Sequence, residues 1–291
     1  MDEPVSERAP AKLNLFLRVL GRRDDGYHDI ESLIVPLSLA DQVTVRPRTG
    51  DGIVQVVTPG AEGSGLPSGP DNLAAAAARA LREELGREDL GAVIELTKSI
   101  PVAGGLGGGS ADAAAVLRIL GRAWSVPSPV LGRAAAEVGS DVPALLAGGS
   151  VLVGDRGEAV RPIELPRSDW VVLPQPFGVA AADAYRWWDE DGEHPGPDPG
   201  LVVEAARAGD ADAMSSILFN DLEGPVARRH PEILEATRAL LEAGSLTSIM
   251  CGSGPTVAGL CRDRAHAEEV AAATDGLAVG SIAPLRPDRL G

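Results

Sequence analysis

The sequence predicts an α+β protein whose sheets and helices form two layers that divide near residue 150. Two observations support this fold class. Strand patterns outnumber helical patterns in the first half of the chain, and the two kinds of element alternate in the second half. The chain shows no internal repeat. We therefore expect an N-terminal domain over residues 1–150 and a C-terminal domain over residues 151–291.

The first half opens with AKLNLFLRVLG (11–21), which alternates in part and predicts a strand that ends in the turn GRRDDGYH. DIESLIVPL, DQVTVRP and GIVQVV predict the next strands, and the glycine- and proline-rich residues 58–70 predict a loop. Residues 71–86 predict a helix with an aspartate N-cap and a glycine stop. A strand over 93–96 follows.

Helices over 110–122 and near 128–138 come next, and GSDVPALLAGGS (139–150) predicts a tight turn into a short helical piece. Later strands are predicted at SVLVG, EAVRPIEL and DWVVLP, on both sides of a glycine turn over 245–261, and at 277–283. Later helices are predicted over 201–219, 231–243 and 263–273. The stretch WWDEDGEHPGPDPG (187–200) predicts a surface loop, and its acidic run from Asp189 to Glu193 is expected to be solvated.

Composition excludes several classes of protein. The formal net charge of −16 argues against nucleic acid or an anionic membrane as the main partner, because both require a basic face. Neither a membrane span nor a signal peptide is evident. Cys251 and Cys261 have no metal or disulfide spacing, so we expect a reducing cytoplasm, and we interpret Cys251 as a small packing residue. No cluster of ligands indicates zinc.

The segment IPVAGGLGGGSADAAAVL (100–117) carries five glycines in a six-residue window. A flexible linker would stay polar and of low complexity, whereas this stretch stops at Ser110, an acceptable N-cap, with Asp112 in the expected first turn. A strand, a glycine loop and a helix start bring free N–H groups and a helix dipole together, which favours a phosphate site. The loop has neither the Walker pattern nor G-x-G-x-x-G.

Lysine is rare in this chain. Of the 26 basic residues, only Lys12 and Lys98 are lysine and the other 24 are arginine. Genome composition or a salty habitat could produce that bias. Since a lysine is a compact point charge and an arginine a wide fork, each remaining lysine is a candidate for a position that arginine cannot fill.

Three segments together resemble the motifs of the GHMP small-molecule kinases: APAKLNLFL, PVAGGLGGGSADAA and CGSGPT. With GSDVP, FNDLE and the stretch after Lys12, they resemble the members that phosphorylate a cytidylylated sugar alcohol for non-mevalonate isoprenoid synthesis. The resemblance implies an N-terminal domain with a left-handed crossover, similar to a ribosomal protein fold, and a ferredoxin-like C-terminal domain. It also implies ATP and Mg²⁺, with the Ser110 hydroxyl as a candidate metal ligand.

The resemblance assigns roles to individual residues. Lys12 and Asp141 match the catalytic pair, with Asp141 as the base that accepts the proton of the substrate hydroxyl. The ATP loop matches Pro101, Val102, Ala103, Gly104, Gly105, Leu106, Gly107, Gly108, Gly109, Ser110 and Ala111. The residues that match substrate contacts are Asn14, Tyr27, His28, Lys98 and Tyr185.

Local sequence alone leaves other interpretations open. Asp141 could cap the short helix that follows it, Lys12 could be a solvated strand lysine, and Tyr27 with His28 could be ordinary packing residues after a turn. Alanine at 111 and over 180–182 departs from the family's hydroxyl residues, and Cys251 stands where serine is commoner. A kinase for homoserine, mevalonate or a sugar, or a non-catalytic nucleotide-binding module, therefore remains an alternative. Monomer and homodimer both remain open.

Overall fold

The computed structural model describes residues 3–50, 54–57, 71–192 and 196–282, so the predicted loop 58–70 lies outside the described residues. The strands are β1 Val5–Arg22, β2 His28–Thr49, β3 Val54–Val57, β4 Leu90–Thr97, β5 Val151–Gly154, β6 Ala159–Pro162, β7 Asp169–Leu173, β8 Phe219–Asn220, β9 Thr247–Met250, β10 Val257–Cys261 and β11 Leu277–Gly280. The helices are α1 Leu73–Leu85, α2 Gly108–Ala123, α3 Ser128–Val138, α4 Val142–Leu146, α5 Ala181–Asp191, α6 Pro199–Ala208, α7 Ala211–Ser215, α8 Glu223–Arg229, α9 Glu232–Glu242 and α10 Arg264–Thr274.

Within the described residues, a large sheet is built around the antiparallel pair β1 and β2. Its strands run in the order β3-β4-β2-β1-β8, and the hairpin β5–β6 joins the free part of β2. Helices α1 and α2 contact each other and the sheet, and their alanine-rich faces form an apolar core with β2 and β4. The large sheet thus includes strands on both sides of residue 150, where the division into two domains stays a prediction.

The second sheet contains β7, β9, β10 and β11 in the order β11-β7-β10-β9, with all its neighbours antiparallel. When these strands are numbered 1 to 4 along the chain, their order across the sheet is 4-1-3-2, which is the ferredoxin-like arrangement that the resemblance implied. Helices α9 and α10 contact the sheet, and their apolar residues help to form a core with those of α5 and α8.

The two sheets share a core, which fixes their relative position. Leu13 and Leu33 of the large sheet lie in one apolar cluster with Trp170 and Leu260 of the small sheet, and all four are completely or almost completely buried. At the edge of this core the Ile282 N–H donates to the carbonyl of Pro36 at 3.0 Å. The clefts between the sheets are therefore rigidly bounded.

The structure confirms most predicted elements and corrects several boundaries. The two strands predicted from DIESLIVPL and DQVTVRP form one strand, β2, because an irregularity in its pairing with β1 absorbs the intervening residues. Asn72, and not Asp71, caps α1, since its side chain accepts from the Ala74 N–H at 2.9 Å. The helix predicted over 201–219 is divided into α6, α7 and the short β8.

Two helices were not predicted, α5 and α8. The expectation of a solvated loop at 187–191 is wrong, because α5 continues to Asp191. Acidic residues at a helix C-terminus oppose the helix dipole, which disfavours a helix when the sequence is considered alone. In the fold, Arg229 binds both Glu190 and Asp191 and neutralises them. No helix in the described part of the chain is long and apolar enough to cross a membrane.

Asn220 links the two sheets, and its loss should destabilise the protein. Its buried amide donates to the carbonyls of Met250 at 2.8 Å and Gly252 at 2.7 Å, and its Oδ1 accepts from the Leu222 N–H. Each buried polar group left without a partner costs about 1–3 kcal/mol, so Asn220→Ala should lower the free energy of unfolding by about 3 kcal/mol. Urea unfolding followed by circular dichroism measures this change.

The matched control is Ser6→Ala, which removes an exposed hydrogen bond to the Thr44 hydroxyl and should change stability by less than about 0.5 kcal/mol. Equal losses in the two variants would contradict a linking role for Asn220.

Candidate active site

A cavity of about 830 Å³ opens between the glycine loop, the start of β2 and helix α5. Nine of the eighteen site residues singled out from the sequence line it. They are Lys12, Asn14, Tyr27, His28, Gly105, Gly107, Ser110, Asp141 and Tyr185. Residues far apart in the chain thus meet around one space of a size that suits a small-molecule ligand.

Four cations line this cavity against three carboxylates. The cations are Lys12, Arg22, Arg156 and Arg186, and the carboxylates are Asp25, Asp141 and Asp189. In a chain with a net charge of −16, this local excess of positive charge favours an anionic ligand.

The conformation of the glycine loop requires glycine at two of its positions. Gly105 and Gly107 have φ values of +75° and +70°, where a side chain would be strained. A Cβ at Gly105 would overlap the Cys251 carbonyl oxygen, and one at Gly107 would lie 2.9 Å from the Lys12 Cγ. The loop therefore packs against both β1 and the turn that follows β9.

Helix α2 begins at Gly108, so the prediction that Ser110 caps it is wrong. Gly107 occupies the cap position in the left-handed region, and no side chain caps the first N–H groups. Asp112 is correspondingly not in the first turn but is buried deeper in the helix. A helix start without a side-chain cap, next to a glycine loop, presents backbone donors and a positive dipole to a ligand.

Lys12 lies at the floor of the cavity and is only 4% exposed, so the interpretation as a solvated strand lysine is wrong. Its Nζ donates to Asn14 Oδ1 at 2.7 Å and lies 3.4 Å from Asp141 Oδ2. Lys12 and Asn14 share one face of β1, whereas Ala11 and Leu13 belong to the apolar core. The pairing of β1 with β2 shifts on either side of this segment.

Asp141 stands at the first residue before α4 but does not cap that helix with its side chain. The carboxylate is instead engaged with Lys12 and borders the cavity. Asn14, which accepts from Lys12, is itself held by a buried hydrogen bond, because its amide donates to the Ser32 hydroxyl at 2.8 Å. The Lys12–Asp141 pair is thus held on one side by buried hydrogen bonds and open to the cavity on the other.

An aromatic wall, made of His28 and Tyr185, lines the same cavity as this pair, and Trp188 supports it through a contact with His28. The His28 ring stacks on Tyr185 with centroids 4.9 Å apart and meets the edge of Trp188 at 5.9 Å. Burial, and then the charge of Asp141, raise the pKa of the Tyr185 hydroxyl, so it stays protonated at neutral pH. His28 also bonds to Asp189, a residue that the sequence analysis assigned to a solvated loop.

Tyr27 lies at the rim of the cavity and is 52% exposed. The Arg156 guanidinium lies over its ring, 4.6 Å from the centroid. Ala181 and Ala182, at the departure from the family's hydroxyl residues, also line the cavity and make that part of the wall apolar.

Lys98 stands apart from the other predicted site residues and is not among those that line the cavity. Its ammonium group binds Asp41 and lies 2.5 Å from the Asp112 Oδ2. Asp41 in turn accepts from the N–H groups of Ser99 and Ile100. This cluster, made of Asp41, Lys98 and Asp112, joins the residues before the glycine loop to the helix after it.

The CGSGPT segment forms the turn between β9 and β10 and packs on the glycine loop, with the Thr256 N–H donating to the Gly104 carbonyl at 3.3 Å. Burial raises the pKa of the Cys251 thiol to about 12, which agrees with a packing residue and not with a reactive thiolate. Among the described residues, no group of three His, Cys, Asp or Glu side chains could hold a metal ion.

Comparison with known proteins gives the site a family context. Residues 63–149 match the family described as GHMP kinases N terminal domain, and residues 202–275 match GHMP kinases C terminal. The chain is 42% identical to the 4-diphosphocytidyl-2-C-methyl-D-erythritol kinase of Pelotomaculum thermopropionicum, with 92% of this chain and 93% of the relative covered.

Solved structures agree with these matches. A crystal structure of 4-(cytidine 5'-diphospho)-2C-methyl-D-erythritol kinase superposes with a TM-score of 0.79 at 33% identity, covering 96% of this chain and 100% of that one. A homoserine kinase from Cytophaga hutchinsonii superposes with a TM-score of 0.72 at 20% identity, covering 98% and 96% of the two chains, and shows the shared fold alone.

The buried cluster of Asp41, Lys98 and Asp112 predicts a pH-dependent stability. Burial raises the pKa of Asp112 to about 7, against the opposing effect of Lys98. Between about pH 4 and 7 the folded protein therefore holds a proton that the unfolded chain has released. The stabilisation from this group is complete below pH 4 and is lost as the pH rises through 7.

We expect Asp112→Asn, which cannot ionise, to remove this loss. Urea unfolding at pH 4.5 to 7.5 should show wild type losing stability relative to Asp112→Asn as the pH rises. In the control Asp89→Asn, which removes an exposed carboxylate paired with Arg87, the difference from wild type should stay constant above pH 5. A constant difference for Asp112→Asn as well would contradict the prediction.

Proposed function

The chain belongs to the 4-diphosphocytidyl-2-C-methyl-D-erythritol kinases of the GHMP family, and we propose that it transfers the γ-phosphoryl group of ATP to the 2-hydroxyl of 4-diphosphocytidyl-2-C-methyl-D-erythritol. The chain is a small-molecule kinase, and the reaction would serve non-mevalonate isoprenoid synthesis. The observation that carries the proposal is the Lys12–Asp141 pair, which lies between the glycine loop and the aromatic wall at 3.4 Å separation.

The glycine loop is where we expect the phosphates of ATP. Phosphate oxygens need several convergent N–H donors, and the start of α2 offers such donors together with the positive end of its dipole. Gly105 and Gly107 leave room for close approach to the backbone. Mg²⁺ bound to ATP would neutralise phosphate charge, and Ser110, which borders the cavity at the helix start, is the candidate side-chain ligand.

The cytidylyl substrate would occupy the opposite half of the cavity. His28 and Tyr185 offer aromatic and hydrogen-bonding surface for the base, and Tyr27 adds a ring at the rim. Arg22, Arg156 and Arg186 border the same space and can pair with the diphosphate of this substrate. The sugar-alcohol end would then reach Lys12 and Asp141.

The chemistry follows from alignment and charge. Phosphoryl transfer leaves little covalent work for the protein, which must align the two substrates and stabilise the developing charge. The Asp141 carboxylate accepts the proton of the acceptor hydroxyl as its oxygen attacks the γ-phosphorus. The Lys12 ammonium stabilises the negative charge on that oxygen. Asn14, bonded to Lys12 at 2.7 Å, keeps the ammonium in place.

A kinase for another small alcohol is the second candidate. Ala181 and Ala182 are the observation that favours it, because they line the cavity without offering the hydroxyl contacts expected there. A non-catalytic nucleotide-binding module is less well supported, since such a module would not need the Lys12–Asp141 pair. Buried, free cysteines at 251 and 261 are compatible with the reducing cytoplasm in which we expect the enzyme to work.

Asp141→Asn tests the mechanism. The amide keeps the shape of the side chain but cannot accept the proton, so we expect kcat to fall by about 10²- to 10⁴-fold with ATP affinity retained. A coupled ADP-release assay measures turnover, and calorimetry measures ATP binding. The control Glu137→Gln makes the same change of charge at an exposed position of α3 and should keep full turnover. Full turnover of Asp141→Asn would exclude Asp141 as the base.

A substrate panel tests the acceptor. With Mg²⁺ and ATP, we expect ADP release with 4-diphosphocytidyl-2-C-methyl-D-erythritol and none above background with mevalonate, homoserine or galactose. Turnover of one of the other alcohols would be consistent with a small-molecule kinase and would overturn the proposed substrate. Binding of ATP without turnover of any alcohol would favour the non-catalytic module.

A further inference from the structure

We propose that Asp189 determines the base specificity of this site, by presenting hydrogen-bond acceptors that select the exocyclic amine of cytosine over the carbonyl of uracil. The inference rests on the proposed function, because it concerns the nucleotidyl half of the same cavity. Neither the glycine loop nor the Lys12–Asp141 pair distinguishes one base from another, so the choice must lie in the aromatic wall.

The first observation is the contact between Asp189 and His28. Asp189 Oδ1 lies 2.8 Å from His28 Nε2, and both residues line the cavity. Helix α5 brings Asp189 to this position one turn after Tyr185, whose ring stacks on His28. A carboxylate therefore lies beside the aromatic wall and is held in place by helix α5 and by its bond to His28.

The second observation is that both neighbouring carboxylates of α5 lie within hydrogen-bond distance of Arg229, whereas among the described residues no arginine comes that close to Asp189. Arg229 binds Glu190 at 2.8 Å and Asp191 at 2.7 Å. The arginine that faces Asp189 is Arg22, which remains 3.7 Å away and has a side chain that is 63% exposed. With Oδ1 bonded to His28, Oδ2 is the oxygen of Asp189 that keeps acceptor capacity for a ligand.

The third observation concerns protons. A carboxylate only accepts, so we assign the hydrogen of the shared contact to His28 Nε2. The group that Asp189 offers to a base is therefore an acceptor. Cytosine presents an amine donor at position 4, whereas uracil presents an oxygen acceptor there.

Ala181 and Ala182 strengthen the expected preference for cytosine. They line the cavity on the same helix as Asp189, and neither of them carries a hydroxyl group. A hydroxyl can donate as well as accept and would tolerate either base. With alanine at these positions, an acceptor at Asp189 faces uracil without a nearby donor to compensate. The missing hydroxyl groups and the carboxylate together favour cytosine.

Calorimetric titration with cytidine 5'-diphosphate and uridine 5'-diphosphate tests the inference. The glycine loop is first filled with an ATP analogue that has a methylene between its β- and γ-phosphates. We expect wild type to bind the cytidine nucleotide roughly 10- to 100-fold more tightly, as a hydrogen bond to a charged group implies. Asp189→Asn, whose amide can donate as well as accept, should lose at least tenfold of this preference.

The control is Glu190→Gln, the same loss of charge at the next residue, which does not line the cavity and should keep the preference. If Asp189→Asn does not fold by circular dichroism, Asp189→Ser replaces it and should lose the preference as well. A purely structural role for Asp189 would weaken both nucleotides by the same factor, and an unchanged ratio overturns the inference. Absence of a preference in wild type also overturns it.

Turnover separates this inference from the proposed function. Suppose that wild type phosphorylates the cytidylyl alcohol and that Asp189→Asn keeps the wild-type ratio of cytidine to uridine affinity. This result would support the proposed kinase activity and reject the role of Asp189. A wild type without turnover whose cytidine preference is lost in Asp189→Asn would support the role of Asp189 and reject the proposed substrate.

Discussion

The site depends on a close approach of three backbone segments that excludes side chains at their junction. The glycine loop, strand β1 and the turn after β9 meet where the Lys12 N–H donates to the Leu106 carbonyl at 2.9 Å. A Cβ at Gly252 would lie 2.6 Å from the Lys12 Nζ, and one at Gly105 would overlap the turn itself. The glycines therefore do more than supply donors to a ligand, because they let the backbone surround one ammonium group.

The two lysines and the arginines occupy different kinds of position around this junction. In a strongly acidic chain, both lysines lie inside the protein and each faces carboxylate, Lys12 at the cavity floor and Lys98 beneath the glycine loop. A compact ammonium on a flexible stem can enter such a space, whereas a guanidinium fork needs a planar opening. Arginines provide the exposed cations of the cavity and neutralise the acidic end of α5.

The half of the cavity that we assign to the cytidylyl substrate is built from segments far apart in the chain. The beginning of β2 supplies His28, and α5 supplies Tyr185 and Asp189 from the segment that follows β7. The core shared by the two sheets sets the distance between these groups. Because no single segment contains the site, its shape depends on the packing between the two sheets. The proposed recognition of the base and the proposed activation of the hydroxyl would in this way both depend on one core.

The strand pattern, the glycine loop and the special positions of the two lysines could be predicted from the sequence, because alternation, backbone freedom and residue rarity are visible without the fold. Its motifs also indicated the kinase family, which the comparisons confirmed. The helix α5, which carries Asp189 into the cavity, could not be predicted in this way, since the arginines that neutralise its acidic end lie about forty residues further along the chain. Tertiary structure also brings Lys98 into an ionic cluster with Asp41 and Asp112, because Asp41 reaches it from the neighbouring strand β2, 57 residues earlier in the chain. Long-range charge pairing leaves no local signal, and the sequence pattern could not reveal it.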